Sequence, residues 1–388
     1  HRAEPGSNFT YLPSRRGHSS QRYSSVMNAQ ASLQIRSVRI VGAGLIGTSI
    51  ALALAHQGVY VSMDDADQKV LALAKDLLAP YLKAEGEERR EFDLVIIATP
   101  PVSAVSALKV EFAANSKSIF IDVSSVKTNL IREIEAIPVL AEQFVGTHPM
   151  AGREVSGASS AQADLFHGRA WIITPTAKTS ARAIARAKEL IQALGASSYE
   201  MSAQEHDHLM ARISHLPQIA STLIASEIQD IGAGLELSGQ GLRDMTRIAG
   251  SDGALWSEIL LENRDEVLST LDQFISKALA LKGAISESKQ EEIKTLFLKG
   301  NSGRAKVSGK HGAKPRNYLH LLVVIKDEPG ALSQLFTECA HIKANIEDLS
   351  IEHSPGQESG LITLAFSPED GERVEAHLKK QDWKVHRR

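Results

Sequence analysis

A glycine-rich turn between a strand-like and a helix-like segment constrains the fold of this chain more than any other feature of the sequence. Residues 37–56 read SVRIVGAGLIGTSIALALAH. A short run of β-branched side chains precedes the pattern G-x-G-x-x-G at Gly42, Gly44 and Gly47, and a run of Ile, Ala and Leu follows it. This order predicts a strand, a tight turn and a helix, which form the first unit of an open α/β sheet.

Each glycine has its own physical role in this pattern. Gly42 permits the turn, Gly44 lets the backbone approach a pyrophosphate, and Gly47 lets the helix pack close to the strand. We therefore predict a dinucleotide site, in which Leu45 and Ile46 lie at the positive helix N-terminus that faces the phosphates. The alternative is that the glycines only allow a helix to pack closely on a strand.

A second strand supplies the acceptor that an adenine ribose needs. Residues 59–63 read as a strand, and Asp64 ends it, 17 residues after Gly47. The Asp64 carboxylate should accept hydrogen bonds from the ribose hydroxyls and repel a 2′-phosphate, so the predicted cofactor is NAD and not NADP. Strand alternation should point Asp65 away from Asp64, so we expect Asp65 to matter little.

The composition is that of a globular chain with two or three ordinary domains. The 388 residues are 43% hydrophobic and 23% charged, and no apolar run approaches the roughly 18 residues of a membrane helix. A net charge of −3 predicts no nucleic-acid or membrane partner, so an anionic substrate needs locally placed arginines. Cys339 is the only cysteine, which excludes disulfides within the chain and fits a cytoplasmic protein.

Changes in periodicity divide the sequence into five parts. The first two predicted parts are a disordered extension at residues 1–34 and an NAD-binding domain with a doubly wound parallel sheet at residues 35–201. They are followed by an all-helical domain at residues 202–298, a flexible linker at residues 299–316 and a small domain with the order β-α-β-β-α-β at residues 317–388. Residues 1–26, before Met27, are interpreted as an extension. The linker has six Lys or Arg and no acid or aromatic residue, which favours a solvated hinge over a nucleic-acid tail.

The helical part begins with a long amphipathic pattern. Leu209, Ile213 and Leu216 recur at helical spacing, which predicts a stripe facing the core, and Pro217 should kink the helix. His215 lies off this stripe, so it need not be a core residue. A helical domain beside a dinucleotide domain often supplies the second wall of a cleft and a subunit contact, and we therefore expect a homodimer.

Polar residues follow three strands of the predicted sheet. Thr99 and Pro100 follow the third strand, Ser125 the fourth and His148 the fifth. Ligands of such sheets lie outside the carboxyl ends of the strands. The ordinary pKa of histidine, about 6.5, leaves His148 largely neutral near pH 7, so it can act as a base. The alternative is a histidine that is merely hydrogen-bonded in a turn before Pro149.

Other polar residues near these strand ends are open to different readings. Ser124 and Lys127 are as polar and as close as Ser125. A nucleophilic Ser–His pair is conceivable, but no elbow motif accompanies it, so we predict that Ser125 is an orienting group. His206 and His208 are two residues apart and would point to different faces of a helix, so no metal site is predicted.

Separate motifs along the chain resemble those of prephenate dehydrogenases. They are GTHPMAGRE at residues 146–154, SHLP at 214–217, RDMTRIAGSD at 243–252, and Trp256. The resemblance covers about residues 37–274. Two departures are Gly253, where the family commonly has proline, and the short charged stretch at residues 82–92. The resemblance implies a Rossmann domain and NAD-dependent oxidative decarboxylation of prephenate to 4-hydroxyphenylpyruvate in tyrosine biosynthesis.

The resemblance also implies roles for the residues that it matches. His148 would be the base that takes the hydroxyl proton, and Ser125 would hydrogen-bond the alcohol or orient His148. Prephenate is a dianion, and a guanidinium can grip a carboxylate through two hydrogen bonds. We interpret Arg243 as a surface residue in an ion pair. The expected substrate-binding residues are His215, Arg247, Glu154 and Trp256.

From Tyr318 onward the chain is similar to the ACT domains that bind amino acids in metabolic enzymes. Residues 327–330 predict a turn into a helix, and the free N–H groups of its first turn can bind a carboxylate. The expected regulatory site comprises Asp327, Gly330 and Ala331, and the expected inhibitor is L-tyrosine, the end product. The competing account is that tyrosine occupies the catalytic pocket directly.

Two other functions remain open at this point. Arogenate dehydrogenase performs the same chemistry on an amino acid instead of a keto acid, and the choice depends on one or two pocket contacts. A catalytically silent amino-acid sensor is a rival of a different class. The complete set of Ser125, His148, His215 and Arg247 argues against a sensor, which has no use for a hydride-transfer site.

Overall fold

A seven-stranded sheet forms the first half of the chain. The computed structural model describes residues 33–81, 91–152, 157–307, 318–326, 328–353 and 359–387. The strands of the first sheet are β1 (Ser37–Val41), β2 (Tyr60–Asp64), β3 (Leu94–Ile97), β4 (Ile119–Asp122), β5 (Phe144–Pro149), β6 (Ala170–Thr174) and β7 (Ser197–Glu200). Their order across the sheet is β2-β1-β3-β4-β5-β6-β7.

Helices cover both faces of this sheet, as predicted for a doubly wound fold. They are α1 (Leu45–His56), α2 (Gln68–Leu78), α3 (Pro101–Ala114), α4 (Thr128–Glu135), α5 (Pro138–Gln143) and α6 (Ala181–Ala193). One core cluster includes Ile40, Ile96 and Trp171, and the other includes Val95 and Phe120. Neighbouring residues of β3 thus face opposite cores, which explains why this strand reads as a continuous apolar run.

The direction of β6 differs from the all-parallel sheet that the sequence predicts. Strands β1 to β5 are parallel, whereas β6 is antiparallel to β5 and parallel to β7. A parallel connection normally requires a crossover helix. Between β5 and β6, the described residues supply only a short 3₁₀ turn at Ala158–Ser160. The chain therefore returns along the sheet in the opposite direction.

Helices follow β7, as predicted. They are α7 (Ala203–Met210), a π-helical turn (Ala211–His215), α8 (Leu216–Glu227), a 3₁₀ turn (Gly232–Leu237), α9 (Gln240–Thr246), a 3₁₀ turn (Arg247–Gly250), α10 (Gly253–Glu262), α11 (Arg264–Ser286) and α12 (Gln290–Ala305). None of the helices in the described ranges is long and apolar enough to cross a membrane.

The predicted apolar stripe of the first long helix is wrong. Ile213 is 54% exposed, whereas Met210 and His215 are buried. The π-helical turn adds a residue to one helical turn and so rotates the following residues relative to a regular 3.6-residue period. Pro217 is the second residue of α8, directly after this turn, and the predicted kink of the helix stays a prediction.

The helical region also continues further than the sequence predicts. Helix α12 ends at Ala305, so residues 299–305 of the predicted flexible linker are helical. Glycine costs about 1 kcal/mol in a helix interior relative to alanine, which does not prevent an established helix from continuing through two glycines. Arg304 lies in the last turn, where a cation is favoured. Residues 308–316 of the predicted linker lie outside the described residues, as do residues 1–32 and 82–90.

A second sheet forms the carboxy-terminal unit. Its elements are β8 (Leu319–Lys326), α13 (Ala331–His341), β9 (Asp348–His353), β10 (Ser359–Phe366), α14 (Pro368–Lys380) and β11 (Lys384–Arg387). The strands pair antiparallel in the order β11-β8-β10-β9. Leu321 and Leu364 of the sheet share a core with Leu335 and Leu378 of the helices. The predicted order β-α-β-β-α-β is confirmed.

Candidate active site

The glycine turn has the geometry that a bound pyrophosphate requires. Gly42 has a φ of +110°, and a Cβ atom on it would lie 2.4 Å from the carbonyl oxygen of Ala98. A Cβ atom on Gly47 would lie 2.0 Å from the carbonyl oxygen of Gly42. A Cβ atom on Gly44, by contrast, would meet no atom within 4 Å. Two glycines therefore close the turn, and the third leaves open space where a ligand can approach.

The N-terminus of α1 lies beside this open space. Helix α1 begins at Leu45, its N-cap Gly44 has no side chain to satisfy the first N–H groups, and its first turn contains no acid. The positive end of the helix, with Leu45 and Ile46, is thus available to an anion. Thr99 is half-buried and Pro100 exposed after β3, and the contact between Gly42 and Ala98 brings this segment next to the turn. These residues fit a dinucleotide.

The acidic residues at the end of β2 are arranged differently from the prediction. Asp64 is half-exposed and pairs with Arg39, whose Nη2 lies 3.0 Å from Oδ2. Arg39 also donates through Nε to Glu111 at 2.7 Å, and mainly this hydrogen bond raises the pKa of Arg39. Asp65 accepts the N–H of Ala43 in the glycine turn at 2.6 Å. Strand alternation does not extend to Asp65, because β2 ends at Asp64, and the contact with Ala43 argues against the prediction that Asp65 matters little.

A buried ion pair lies at the carboxyl end of β4. Asp122 and Lys127 are both fully buried, and Lys127 Nζ donates to Asp122 Oδ2. Asp122 also accepts the N–H of Ser124 at 2.9 Å and the N–H of Thr147 at 3.2 Å. Burial lowers the pKa of Lys127, and Asp122 opposes that shift. The ion pair holds the segment that carries Ser125, which is half-buried, at the same sheet edge as β5.

His148 lies near the end of β5 and contacts a second histidine. Its Nδ1 is 2.9 Å from Nε2 of His206, and Nδ1 of His206 is 2.7 Å from Oδ1 of Asp207. Burial lowers the pKa of His148 well below its ordinary value, and the proximity of His206, Lys127 and His215, which disfavours one more positive charge there, lowers it further. His148 is therefore neutral near pH 7 and able to accept a proton.

The sequence alone did not identify His206 and Asp207 as neighbours of His148. His206 is fully buried, whereas His208 is half-exposed and hydrogen-bonded to Glu266, so the two histidines do face different sides. The capping box of Ser202 and Glu205 at the start of α7 is a sequence signal that locates this helix. Within the described ranges, no group of three or more His, Cys, Asp or Glu side chains has an arrangement suited to a metal ion.

His215 is buried, contrary to the expectation that it need not be a core residue. Its Nδ1 lies 3.2 Å from Nδ2 of Asn263, which also donates to the carbonyl oxygen of Asp207 at 2.8 Å. Burial is the main reason why the pKa of His215 falls to about 4. The ring of Trp256 packs edge-on against His215 with the centroids 6.0 Å apart. The structure thus brings these two predicted residues together.

The predicted carboxylate-binding residue Arg247 lies on a turn that packs beside α8. Arg247 is exposed and begins a 3₁₀ turn, which is tied to α8 by the hydrogen bond from Gln218 Nε2 to the carbonyl oxygen of Ile248 at 2.9 Å. Arg243 donates to the carbonyl oxygen of Ser238 at 3.4 Å, and the ion pair expected for it is absent among the described residues. Glu154 lies outside the described residues.

The start of α13 has part of the geometry predicted for a regulatory site. Gly330 is the N-cap of α13 with a φ of +95°, and Ala331 is the first helical residue and is buried. The first turn of this helix contains no acid. Asp327 lies outside the described residues.

Two family models match the part of the chain that carries this site. Residues 50–200 match the nucleotide-binding domain of prephenate dehydrogenase, and residues 202–299 match its dimerization domain. The probable prephenate dehydrogenase NovF of Streptomyces niveus is 30% identical over 362 residues, which cover 90% of this chain and 99% of that protein. This alignment necessarily includes part of the carboxy-terminal unit, which begins at residue 318.

Solved structures agree with these matches. The prephenate dehydrogenase from A. aeolicus in complex with hydroxyphenyl propionate and NAD⁺ has a TM-score of 0.63 and 27% identity, covering 71% of this chain and all of that one. The Synechocystis arogenate dehydrogenase has a TM-score of 0.57 and 26% identity, covering 69% and 98%. With the glycine turn after β1 and the neutral histidine near the end of β5, these similarities establish that the chain belongs to the prephenate dehydrogenase family of NAD-dependent oxidoreductases.

Proposed function

We propose that this chain converts prephenate to 4-hydroxyphenylpyruvate and CO₂ in tyrosine biosynthesis. The observation that carries the proposal is half-buried His148 at the carboxyl edge of the first sheet, with buried His206 beside it, both neutral near pH 7. The reaction takes a proton and a hydride from a secondary alcohol and breaks the bond to a carboxylate, whose electrons complete the aromatic ring. NAD, when bound, accepts the hydride.

The residues of the chain have separate proposed roles in this reaction. His148 is the base for the hydroxyl proton, because it is neutral and lies near the end of β5. Ser125 at the neighbouring strand end orients the alcohol or His148. The glycine turn and the start of α1 hold the pyrophosphate, with Thr99 and Pro100 alongside, and Asp64 binds the adenine ribose.

The helical wall is proposed to hold the two carboxylates of prephenate. His215 and Trp256 form one packed pair. Arg247 is tied to α8, the helix that directly follows His215, through the turn that contains Ile248, and its guanidinium suits a carboxylate. Glu154 keeps its proposed substrate role from the resemblance alone. A neutral His215 binds substrate by hydrogen bonding, since its lowered pKa removes its charge near pH 7.

Arogenate is the second candidate substrate, because an arogenate dehydrogenase is among the similar solved structures. Prephenate has a keto group in its side chain where arogenate has an ammonium group, and this position is away from the reacting carbon. One assay separates them: NADH formation is followed by absorbance with prephenate and then with arogenate. We expect a higher kcat/KM for prephenate. A higher kcat/KM for arogenate would reassign the substrate, and NADH formation with neither would refute the proposed reaction.

The helical region is proposed to form a homodimer. Helix α12 has no buried residue among those described, and only three of the 23 residues of α11 are buried. Leu279 and Phe297 are among the exposed large apolar side chains of these helices. The exposed apolar side chains of these two adjoining helices suit contact with a second copy of the chain. The match of residues 202–299 to a dimerization domain supports this proposal.

The carboxy-terminal unit is proposed to be an ACT-like domain that binds L-tyrosine. Its strand order β11-β8-β10-β9 and its two helices correspond to a ferredoxin-like arrangement. The N-terminus of α13 after Gly330 offers N–H groups to the amino-acid carboxylate. Coupling between two sites is typically 1 to 3 kcal/mol, roughly 5- to 150-fold in affinity.

Truncation after Lys314 tests this regulatory proposal. The shortened enzyme should keep its turnover and lose inhibition by tyrosine, because the proposed site lies beyond residue 318. Both proteins are titrated with tyrosine at several prephenate concentrations. Inhibition that persists unchanged and competes with prephenate would instead place tyrosine in the catalytic pocket.

A further inference from the structure

A line of three side chains lies behind the proposed base. Asp207, His206 and His148 are joined by hydrogen bonds of 2.7 Å and 2.9 Å. We propose that His206 and Asp207 are positioning residues that hold His148 in the tautomer with its proton on Nδ1 and its lone pair on Nε2. The functional importance of this tautomer rests on the proposed role of His148 as the base.

The hydrogen-bond directions along this line follow from the acceptor at its end. Asp207 accepts the N–H of Lys127 at 2.9 Å and the N–H of Thr128 at 2.7 Å, in addition to its contact with His206. Burial raises the pKa of Asp207, but the hydrogen bonds from His206 and Thr128 outweigh this effect and lower it. Asp207 is therefore an anion near pH 7, and an ionised carboxylate can only accept hydrogen bonds.

It follows which ring nitrogen of each histidine carries the proton. Nδ1 of His206 must carry a proton to donate to Asp207. Burial is the main cause that lowers the pKa of His206, so this ring is neutral and its Nε2 has a lone pair. Nδ1 of His148 must therefore be the donor in the 2.9 Å contact. A neutral imidazole has one proton, so Nε2 of His148 keeps the lone pair that a base needs.

The charged groups that face this line do not reverse the assignment. Among the described residues, Lys127 is a cation whose charge acts on both rings, and it is paired with Asp122. Its charge lowers the pKa of His148 and of His206, which favours the neutral form of both rings. His215 is itself neutral near pH 7, and its Nδ1 faces the Asn263 amide and not His206.

The line also determines what happens after proton transfer. When Nε2 of His148 takes the hydroxyl proton, the O–H bond breaks and an N–H bond forms, and the ring becomes a cation. Its Nδ1–H then points at His206, whose own proton points at the Asp207 carboxylate. This arrangement stabilises the cation without moving a second proton, as the aspartate does in a Ser-His-Asp triad.

Asp207 also stabilises the backbone at the start of α4, so it is less suitable than His206 for a test by substitution. It accepts the N–H groups of Lys127 and Thr128 at the start of α4, so its replacement disturbs that helix as well. His206 has no such contact with the backbone of α4. The test therefore compares two substitutions of His206. Glutamine can accept from His148 and donate to Asp207, whereas phenylalanine fills similar space and can do neither.

Tautomers are measured directly in the full-length protein. ¹⁵N spectra of histidine-labelled protein distinguish a protonated ring nitrogen from one with a lone pair, and the signals of His148 are those that disappear in His148→Asn. We expect a proton on Nδ1 of His148 in the native protein and in His206→Gln. In His206→Phe we expect a mixture of tautomers. Native protein with the proton on Nε2, or a His206→Phe spectrum identical to the native one, would overturn the proposal.

Kinetics provide the second measurement. We expect His206→Phe to lower kcat on the order of 10²- to 10⁴-fold without changing the KM for NAD, while His206→Gln restores kcat to within about tenfold of the native value. Thermal unfolding confirms that both variants fold. Equal loss of kcat in both would contradict a tautomer-holding role. If His148 is not the base, His148→Asn retains its kcat while the tautomer spectra stay as expected, so the two failures are distinguishable.

Discussion

At the residue scale, the chemistry of the site depends on the environment of single imidazoles and carboxylates. His148, His206 and His215 all lie in surroundings where burial lowers their pKa. A neutral ring donates with one nitrogen and accepts with the other, whereas a charged ring only donates. Because their pKa values are low, these histidines can serve as a base and its hydrogen-bonding partners. They do not form a positively charged patch that would bind an anion.

The first residue-scale prediction concerns His148 itself. His148→Asn should lower kcat on the order of 10²- to 10⁴-fold, because it removes the group that accepts the hydroxyl proton. NAD affinity and thermal stability should stay close to native values, since no described contact joins His148 to the glycine turn. Steady-state kinetics and a NAD titration measure both. Near-native kcat in this variant would show that another group is the base.

The pH dependence of kcat/KM for prephenate follows from the same residue, because this ratio reports the base of the enzyme before prephenate binds. A base whose pKa is lowered stays unprotonated to lower pH. The value of kcat/KM should therefore remain constant as the pH falls to 6.5 and decline only below it, when the pH passes through the lowered pKa of His148. A pH profile of kcat/KM measures this. An acid limb centred at or above pH 6.5 would contradict the lowered pKa.

Asp64 and Asp65 should have distinct effects on cofactor binding. Asp64→Ala should reduce the preference for NAD over NADP by roughly 10- to 100-fold, because it removes a charge that repels a 2′-phosphate and leaves Arg39 without that partner. Asp65→Ala should weaken both cofactors similarly, since Asp65 contacts Ala43 in the glycine turn. The measurement is the ratio of kcat/KM for NAD to kcat/KM for NADP in each variant. An unchanged ratio in Asp64→Ala would show that Asp64 does not contact the ribose.

At the element scale, the strand–turn–helix unit from β1 to α1 shows how local geometry creates a binding site. Gly42 and Gly47 are required by close backbone contacts, and Gly44 is not. Ten of the twelve residues of α1 are buried, so this helix is fixed against the sheet and its N-terminus cannot move away from a bound phosphate. The unit thus combines a buried, tightly packed helix with open space at Gly44 for a ligand.

Gly47→Ala and Gly44→Ala form a matched pair that tests this division. Gly47→Ala should reduce the free energy of unfolding by about 1–3 kcal/mol, because the added methyl group meets the backbone oxygen of Gly42. Gly44→Ala should change it by less than about 0.5 kcal/mol. It should instead raise the KM for NAD by roughly tenfold or more, because the methyl group fills the ligand space. Denaturant unfolding and NAD kinetics report the two effects. Equal destabilisation by both substitutions would contradict the separate roles.

At the scale of the whole molecule, the long helices α11 and α12 have too little of their surface covered in a single copy. Their apolar side chains are more exposed than those of the two sheet units. Burial of such surface provides about 25 cal/mol per Å². We therefore expect the stability of these helices to depend on protein concentration, as it does when folding and association are linked.

Phe297→Glu should disrupt the proposed dimer. Phe297 is 66% exposed on α12, and a carboxylate there would lose solvation at an apolar interface. Lys299→Glu is the control, since two residues correspond to about 200° around a helix and place the same new side chain on the opposite side. Sedimentation velocity at several concentrations measures the mass. If the Phe297→Glu variant dimerises as strongly as the native protein, the interface lies elsewhere.

Much of the architecture was already determined by local sequence patterns. Strands β1 and β2, the residues that follow β3 to β5, and the order of the elements in the carboxy-terminal unit were predicted close to what is observed, because strand alternation, helical spacing and turn residues act over a few neighbours. The dinucleotide turn and the placement of His148 at a strand end depend on the same short-range patterns. The cofactor class and the family follow from these residues without a structure.

Tertiary structure decided what depends on contacts between distant residues. The sequence could not show that β6 runs antiparallel, that Lys127 is paired with Asp122 in the interior, or that His206 meets His148 across 58 positions. A single π-helical turn changed which face of the helix is buried and so placed His215 inside. Periodicity assigns a side chain to a face, but only packing determines which face is covered. Burial then sets the pKa of each histidine, and the chemistry of the site follows from that.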